Sequence, residues 1–273
     1  MPRCDSDAAA PRRAPRASRL RRWAAVLGLT LCGCERELVV GTWTCAQTVD
    51  AAQRADETTP VPLPFSTSFE DGFCDYTQRA GFCYGDRLAT YTTVTSPVRT
   101  GRSAAAFEIR SDDPAAHQAR CVVEGVLPEA AYYGAWYFVP RRATNSGLWN
   151  LVHFQGGDRS ALHGLWDISL ENGADGQLAL MVYEFRTSRV HYPENPTPIP
   201  IGSWFHIELY LERAKDETGE VALYQDGDEL LRLSNIVTDD TDWGQWYVGN
   251  LASGLRPADS TVYVDDVAIR SSR

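Results

Sequence analysis

The chain has 273 residues, 44% of them hydrophobic, and a formal charge of −10. Residues 1–33 hold seven Arg and two Asp, which leaves 19 basic against 34 acidic groups in the remainder. That excess excludes nucleic acid and anionic membrane surfaces as general partners, and it disfavours an anionic polymer unless a local cation overrides it.

The chain begins with a basic segment containing Arg12, Arg13, Arg16, Arg19, Arg21 and Arg22. The apolar run Trp23–Leu31 follows, too short to span a bilayer as a stable anchor. A basic region, a short apolar core and small residues before a cut describe a secretory signal peptide over 1–33. Its ending, Leu31-Cys32-Gly33-Cys34, resembles a bacterial lipobox. The resemblance implies cleavage after Gly33, a lipid on Cys34 and a place in the bacterial cell envelope. Secretion without a lipid is the alternative. Residues 34–64 end in Thr58-Thr59-Pro60-Val61-Pro62-Leu63-Pro64. Such a Pro-rich segment is a semi-rigid tether, so membrane contact is expected only through the lipid.

A domain over 65–273 follows. Strand-length runs rich in β-formers occur at Leu88–Thr95, Ala104–Arg110, Gln118–Glu124, Gln177–Arg186, Trp204–Arg213, Gly244–Leu251 and Thr261–Ile269. Glu220–Gln225 and Glu229–Ser234 flank Asp226-Gly227-Asp228, which predicts a tight hairpin. About a dozen short strands with turn signals between them predict an all-β, two-sheet antiparallel sandwich or jelly roll. The Pro-rich loop Arg189–Gly202 is long enough to rim a binding site.

Cys45, Cys74, Cys83 and Cys121 are an even set in an exported chain, and no C-x-x-C pair suggests zinc. Three connectivities are open. The short loop between Cys74 and Cys83 favours that bridge, leaving Cys45 with Cys121.

The stretch Tyr132–Glu171 holds three aromatic-rich runs separated by Pro, Asn, Gly and Asp. In the middle run, period-2 alternation places Trp149, Leu151, His153 and Gln155 on one face. Leu148, Asn150, Val152 and Phe154 fall on the other. A Trp, an imidazole and an amide side by side suit a ligand surface. Trp204 shares a face with His206, Glu208, Tyr210 and Glu212, opposite Phe205, Ile207, Leu209 and Leu211. Aromatic faces stack on sugar rings while amides and carboxylates take the hydroxyls. Trp149, Tyr183, Trp204 and Tyr247 are therefore carbohydrate-binding candidates with His153 and Gln155. No nucleophile elbow, phosphate loop or His-Glu-x-x-His helix is present.

The chain resembles the concanavalin A-like lectin/glucanase jelly rolls, and within them the heparin-lyase-like and alginate-lyase-like polysaccharide lyases. The resemblance runs through Phe69–Gly72, Gly101–Phe107, Tyr133–Tyr137, Trp149–Gln155, Gly202–Phe205, Glu220–Gly227 and Val262–Val267. It implies a polysaccharide groove on the concave sheet. In the lyases, uronic-acid polymers are cleaved there by β-elimination. That reaction needs a neutraliser for the sugar carboxylate, a base and an acid. His153-Phe154-Gln155 carries a lyase Gln-x-His pair in reverse order. Arg120 matches an Arg-x-Glu motif, with Val122 where Glu would stand. Tyr247 matches a late Tyr-x-Lys strand whose Lys is absent. A glycosidase of this fold needs Glu-x-Asp-x-Glu on one strand. Asp167 and Glu171 share one face of a strand, but Leu165 stands where the first Glu would be.

The resemblance also implies a structural calcium ion between an early Phe-Glu and a late Asp-Asp strand, here Glu70, Asp265 and Asp266. Backbone carbonyls and water would complete its shell. The function expected is carbohydrate recognition in a concave groove. Its alternative is a polysaccharide lyase using His153, Gln155, Arg120 and Tyr247 in the same groove.

Overall fold

The computed structural model describes residues 58–273 apart from 79–80, 111–114 and 174. The expected signal peptide and most of the tether, with Cys34 and Cys45, lie outside the described residues.

The elements run in order β1 (Phe65–Thr67), α1 (Cys74–Gln78), β2 (Gly81–Gly85), β3 (Ala89–Val94), β4 (Ala104–Arg110), β5 (Ala116–Val126), β6 (Ala130–Phe138) and β7 (Thr144–Asn145). They continue with β8 (Trp149–Asp158), β9 (Ala161–Asn172), β10 (Leu178–Glu184), β11 (Arg189–His191), β12 (Trp204–Glu212) and β13 (Gly219–Gln225). The last are β14 (Asp228–Ile236), β15 (Trp243–Ser253), β16 (Leu255–Arg256) and β17 (Asp259–Arg270). One sheet has the order β14-β13-β12-β6-β17-β4-β3, with β1 also paired to β17. The other has the order β11-β10-β9-β8-β15-β5-β2. Both sheets are antiparallel, and together they form the sandwich expected from the strand pattern.

Alternation builds the core. In β12, Phe205, Ile207, Leu209 and Leu211 are buried, as predicted, and the polar set faces away from the core. Phe154, Trp166, Val182 and Trp246 meet them from the other sheet in one apolar cluster. Burying each side chain of this size contributes roughly 1.5–3 kcal/mol. The β13–β14 hairpin closes on Asp226 and Gly227, with φ of 53° and 95°. Positive φ at both positions is what a two-residue turn of matching twist requires. Ordered pairing starts before Phe65: Val61 N–H donates to Val126 O and Val126 N–H to Thr59 O, each at 2.9 Å.

Strand β8 departs from strict alternation. Its pairing with β9 slips between Asn150 and Val152, and its pairing with β15 slips between Val248 and Leu251. Leu151 and Val152 both enter the core as a result. This bulge reverses the faces on its N-terminal side. Trp149, expected beside His153, is instead a core residue only 1% exposed. Its indole N–H donates to Asn250 Oδ1 at 3.0 Å.

The disulfide expectation is also corrected. Cys83 pairs with Cys121, not with Cys74. The two stand directly opposite each other in the β2–β5 ladder, 4.0 Å apart at Cα. The side chain of Cys83 meets that of Cys121 as soon as β2 docks, which a count of loop length does not register. Cys74 is disulfide-bonded as well.

Candidate active site on the seven-stranded sheet

On the outer face of this sheet one lateral row crosses six strands. The registers place Tyr183 opposite Asp167, Asp167 opposite His153, and His153 opposite Tyr247. Tyr247 is opposite Val122, and Val122 opposite Phe82. Tyr84, Val122, Tyr247 and Phe82 form a small apolar cluster here, separate from the main core. Flanking rows add Arg120 beside Tyr84 on one side, and Gln155, Gln245 and Glu124 on the other. The result is a depression of about 240 Å³ lined by Arg120, His153, Gln155, Asp167, Phe185 and Tyr247, among others.

His153 is 8% exposed, and its Nδ1 is hydrogen-bonded to Asp167 Oδ1. With a carboxylate as partner, Nδ1 carries the proton and Nε2 holds the lone pair. Burial depresses the imidazole below its usual range and outweighs the opposing pull of Asp167. The ring is therefore neutral near pH 7, oriented, and able to accept a proton. Its ring centre lies 5.2 Å from that of Tyr247 and 5.5 Å from that of Phe185.

Arg120 is 4% exposed. Its guanidinium donates to Asn150 Oδ1 and lies 5.5 Å from the centre of the Tyr247 ring. Among the described residues no carboxylate forms an ion pair with it. Asn150 is held in turn by its own amide N–H groups, at 2.7 Å from Val152 O and 3.3 Å from Ile168 O. A buried, oriented cation with no carboxylate partner among the described residues is costly, and pairing with an anion would offset that cost.

The Tyr247 hydroxyl is 2.6 Å from Gln155 Oε1 and also bonded to Gln245 Oε1. Gln245 Nε2 donates to Glu124 Oε2 at 2.8 Å.

The structure thus brings together Arg120, His153, Gln155, Tyr183 and Tyr247, but neither tryptophan. Trp149 is in the core. Trp204 lies on the outer face of the opposite sheet, 5.6 Å from Phe138 and remote from His153 in the sandwich. The residues not foreseen are Asn150, Glu124, Gln245 and Phe185, together with Asp167 as the partner of His153. Leu165, at the glycosidase position, points into the core.

Glu70, Asp265 and Asp266 all grip one loop. Glu70 Oε1 accepts from the N–H groups of Arg102 (2.8 Å) and Ser103 (3.0 Å), which holds its carboxyl below the usual range. Asp265 Oδ2 accepts from Arg99 N–H at 2.9 Å and Thr100 N–H at 3.2 Å. Asp266 Oδ1 accepts from the Thr100 hydroxyl at 2.6 Å. Burial pushes Asp265 up to about 6 despite its amide donors. Gly101 sits in this clasp at φ +68°, where a Cβ would lie 2.2 Å from Glu70 Oε1. Among the described residues no three His, Cys, Asp or Glu side chains are grouped to hold a metal.

No protein-family model and no curated protein matches the chain. Solved structures do. An endo-β-1,4-glucuronan lyase from the fungus Trichoderma reesei is 19% identical, with a TM-score of 0.55 over 70% of this chain and 90% of that one. The alginate lyase Aly36B, solved with an alginate trisaccharide, is 12% identical, with a TM-score of 0.55 over 78% and 100%. A PL-14 alginate lyase from Aplysia kurodai is 11% identical, with a TM-score of 0.52 over 79% and 100%. The chain shares the fold of these lyases. At such identities the likeness speaks for the sandwich alone, as the sequence resemblance implied.

Proposed function

We propose that the protein is a polysaccharide lyase that cleaves uronic-acid polymers by β-elimination on the outer face of the seven-stranded sheet. The observation that carries this reading is Arg120, a buried guanidinium with no acidic partner among the described residues, in a protein of net charge −10. A sugar carboxylate would complete it, and pairing with Arg120 would acidify the adjacent C–H. His153 Nε2 then takes the C5 proton. The electron pair left behind forms the C4–C5 double bond as the C4–O bond breaks. Tyr247 turns its O–H from Gln245 Oε1 to the sugar and gives its proton to the departing oxygen. Gln155 lies beside Tyr247, within reach of the same sugar.

What moves the reading from binding to cleavage is the His153–Asp167 pair. A lectin has no need of an imidazole whose tautomer is set by a carboxylate, whereas a general base does. The fold neighbours named as glucuronan and alginate lyases support the same substrate class. We further propose export with a lipid on Cys34, in keeping with disulfides that need an oxidising compartment.

The test is incubation with alginate and with glucuronan, followed by ultraviolet absorbance and mass spectrometry for unsaturated uronates. Product formation that disappears in His153→Ala and Tyr247→Phe is expected. Tight binding of either polymer without unsaturated product would return the site to a binding groove. Cys34→Ser should shift the mature protein from the detergent phase to the aqueous phase, and unchanged partitioning would remove the lipid.

A further inference from the structure

A hydrogen-bonded chain leads from Tyr247 away from the depression. Its far end is Glu124, 1% exposed, with Arg159 Nη2 on its Oε1 at 2.8 Å. Gln245 Nε2 donates to its other oxygen at 2.8 Å. Among the described residues, the charged or titratable groups around Tyr247 are Arg120 and Glu124 of β5, Tyr84 of β2, His153 of β8 with Asp167 behind it, and Arg159 of the β8–β9 hairpin.

Donor and acceptor counting gives this chain a direction. A carboxylate only accepts, so Glu124 must meet the NH₂ end of Gln245. That leaves Gln245 Oε1 facing the Tyr247 hydroxyl. The phenol has one proton, so it cannot donate to both Gln245 Oε1 and Gln155 Oε1. Two oxygens at the Gln245 contact need that proton between them. The Gln155 amide therefore turns its N–H toward the phenol oxygen, an orientation that differs only by an exchange of its O and N atoms. Every donor in the chain then points toward Glu124: Gln155 to Tyr247, Tyr247 to Gln245, Gln245 to Glu124.

We infer that Glu124, working through Gln245, is a positioning residue that keeps Tyr247 protonated and so assigns it the acid role and His153 the base role. Loss of the proton from Tyr247 would leave a phenolate against the Gln245 carbonyl oxygen, which cannot turn away while Glu124 holds its NH₂ end. An acceptor that bonds to the neutral form opposes ionisation, and so does a nearby carboxylate charge. Glu124→Gln removes both effects. Gln245 becomes free to reverse, and both neighbouring amides can then donate to a phenolate. Arg159→Gln acts in the opposite sense, because it leaves the Glu124 charge uncompensated.

The inference rests on the lyase reading for its meaning but not for its test. The probe is the ring carbon bearing the hydroxyl in ¹³C-labelled tyrosine, with the Tyr247 signal assigned by its loss in Tyr247→Phe. In a pH titration the midpoint of that signal should move to lower pH in Glu124→Gln and to higher pH in Arg159→Gln. No movement, or movement of both in one direction, overturns the inference. If Glu124→Gln fails to fold, Arg159→Gln decides alone, and an unmoved or lowered midpoint counts against it. Given activity, Glu124→Gln should lower kcat on the alkaline side alone, where Tyr247 has lost its proton. KM should stay within about twofold, and the alkaline limb of the pH–rate profile should move to lower pH. A wild-type protein that cleaves no polyuronate would sink the lyase reading and leave the titration to judge the chain.

Discussion

Replacing Asp167 by Asn removes the charge that faces His153 Nδ1 while keeping the size of the side chain. In the wild type this carboxylate orients the ring and opposes the burial that depresses its proton affinity. A hydrogen bond to a charged group contributes about 1.5–3 kcal/mol. At about 1.36 kcal/mol per factor of ten, the expected loss in kcat is roughly 10- to 150-fold. The pH dependence has a definite sign. His153 serves as base only when neutral, so activity is lost as pH falls through its folded value, which already lies below the ordinary one. Asp167 raises that value. Its removal should therefore move the acidic limb of kcat/KM to still lower pH while the plateau drops. The assay is the initial rate of unsaturated-uronate formation between mildly acidic and neutral pH, with KM measured alongside. A limb that moves to higher pH, or a loss confined to KM, would refute the reasoning, because neither follows from a base held by a carboxylate.

Arg120→Met should abolish cleavage of polyuronates yet leave the melting temperature equal to or above that of the wild type. An unpaired buried cation costs stability that an apolar side chain of similar length recovers; a melt lowered by several degrees would show that the guanidinium is structurally satisfied. Peptide mapping of the unreduced protein should return a Cys83–Cys121 linked pair. Replacing both by Ala should cost about 4 kcal/mol in the chain-entropy account of a 38-residue separation, read by denaturant melts. Whether Glu70, Asp265 and Asp266 hold calcium is tested by a melt with chelator. With these oxygens engaged on loop amides the transition should be indifferent to chelator, and a drop restored by added calcium would establish the ion.

The fold was largely legible because its signals are local. The alternation of β12 and the Asp226-Gly227 turn are read within ten residues of themselves. Within β8 the site was legible only where the strand is regular, from Val152 to Gln155, and it failed at Trp149 because one extra residue, Leu151, enters the core. The partner of His153 was hidden by a second irregularity. Counting back from the Asp158–Ala161 end of the hairpin sets His153 opposite Trp166, and only the slip between Phe154 and Gln155 brings it to Asp167. Glu124 and Gln245 carry no local signal, since nothing in either segment reports that β5 and β15 are neighbours. The Trp204 reading had the correct face of its strand but the wrong sheet, because alternation fixes a face and says nothing of which layer carries it.

Arg120 also bears on how substrate would arrive at the depression. A polyanion approaching a protein of charge −10 meets repulsion over the whole screening distance, about 30 Å at 0.01 M salt and about 10 Å at 0.1 M. Arg120 is 4% exposed, so its attraction acts at contact and is shielded far less. Adding salt therefore weakens the long-range opposition more than the final pairing. The encounter rate, and with it kcat/KM, should climb between those two ionic strengths, the reverse of an enzyme that draws an acidic substrate toward a basic rim.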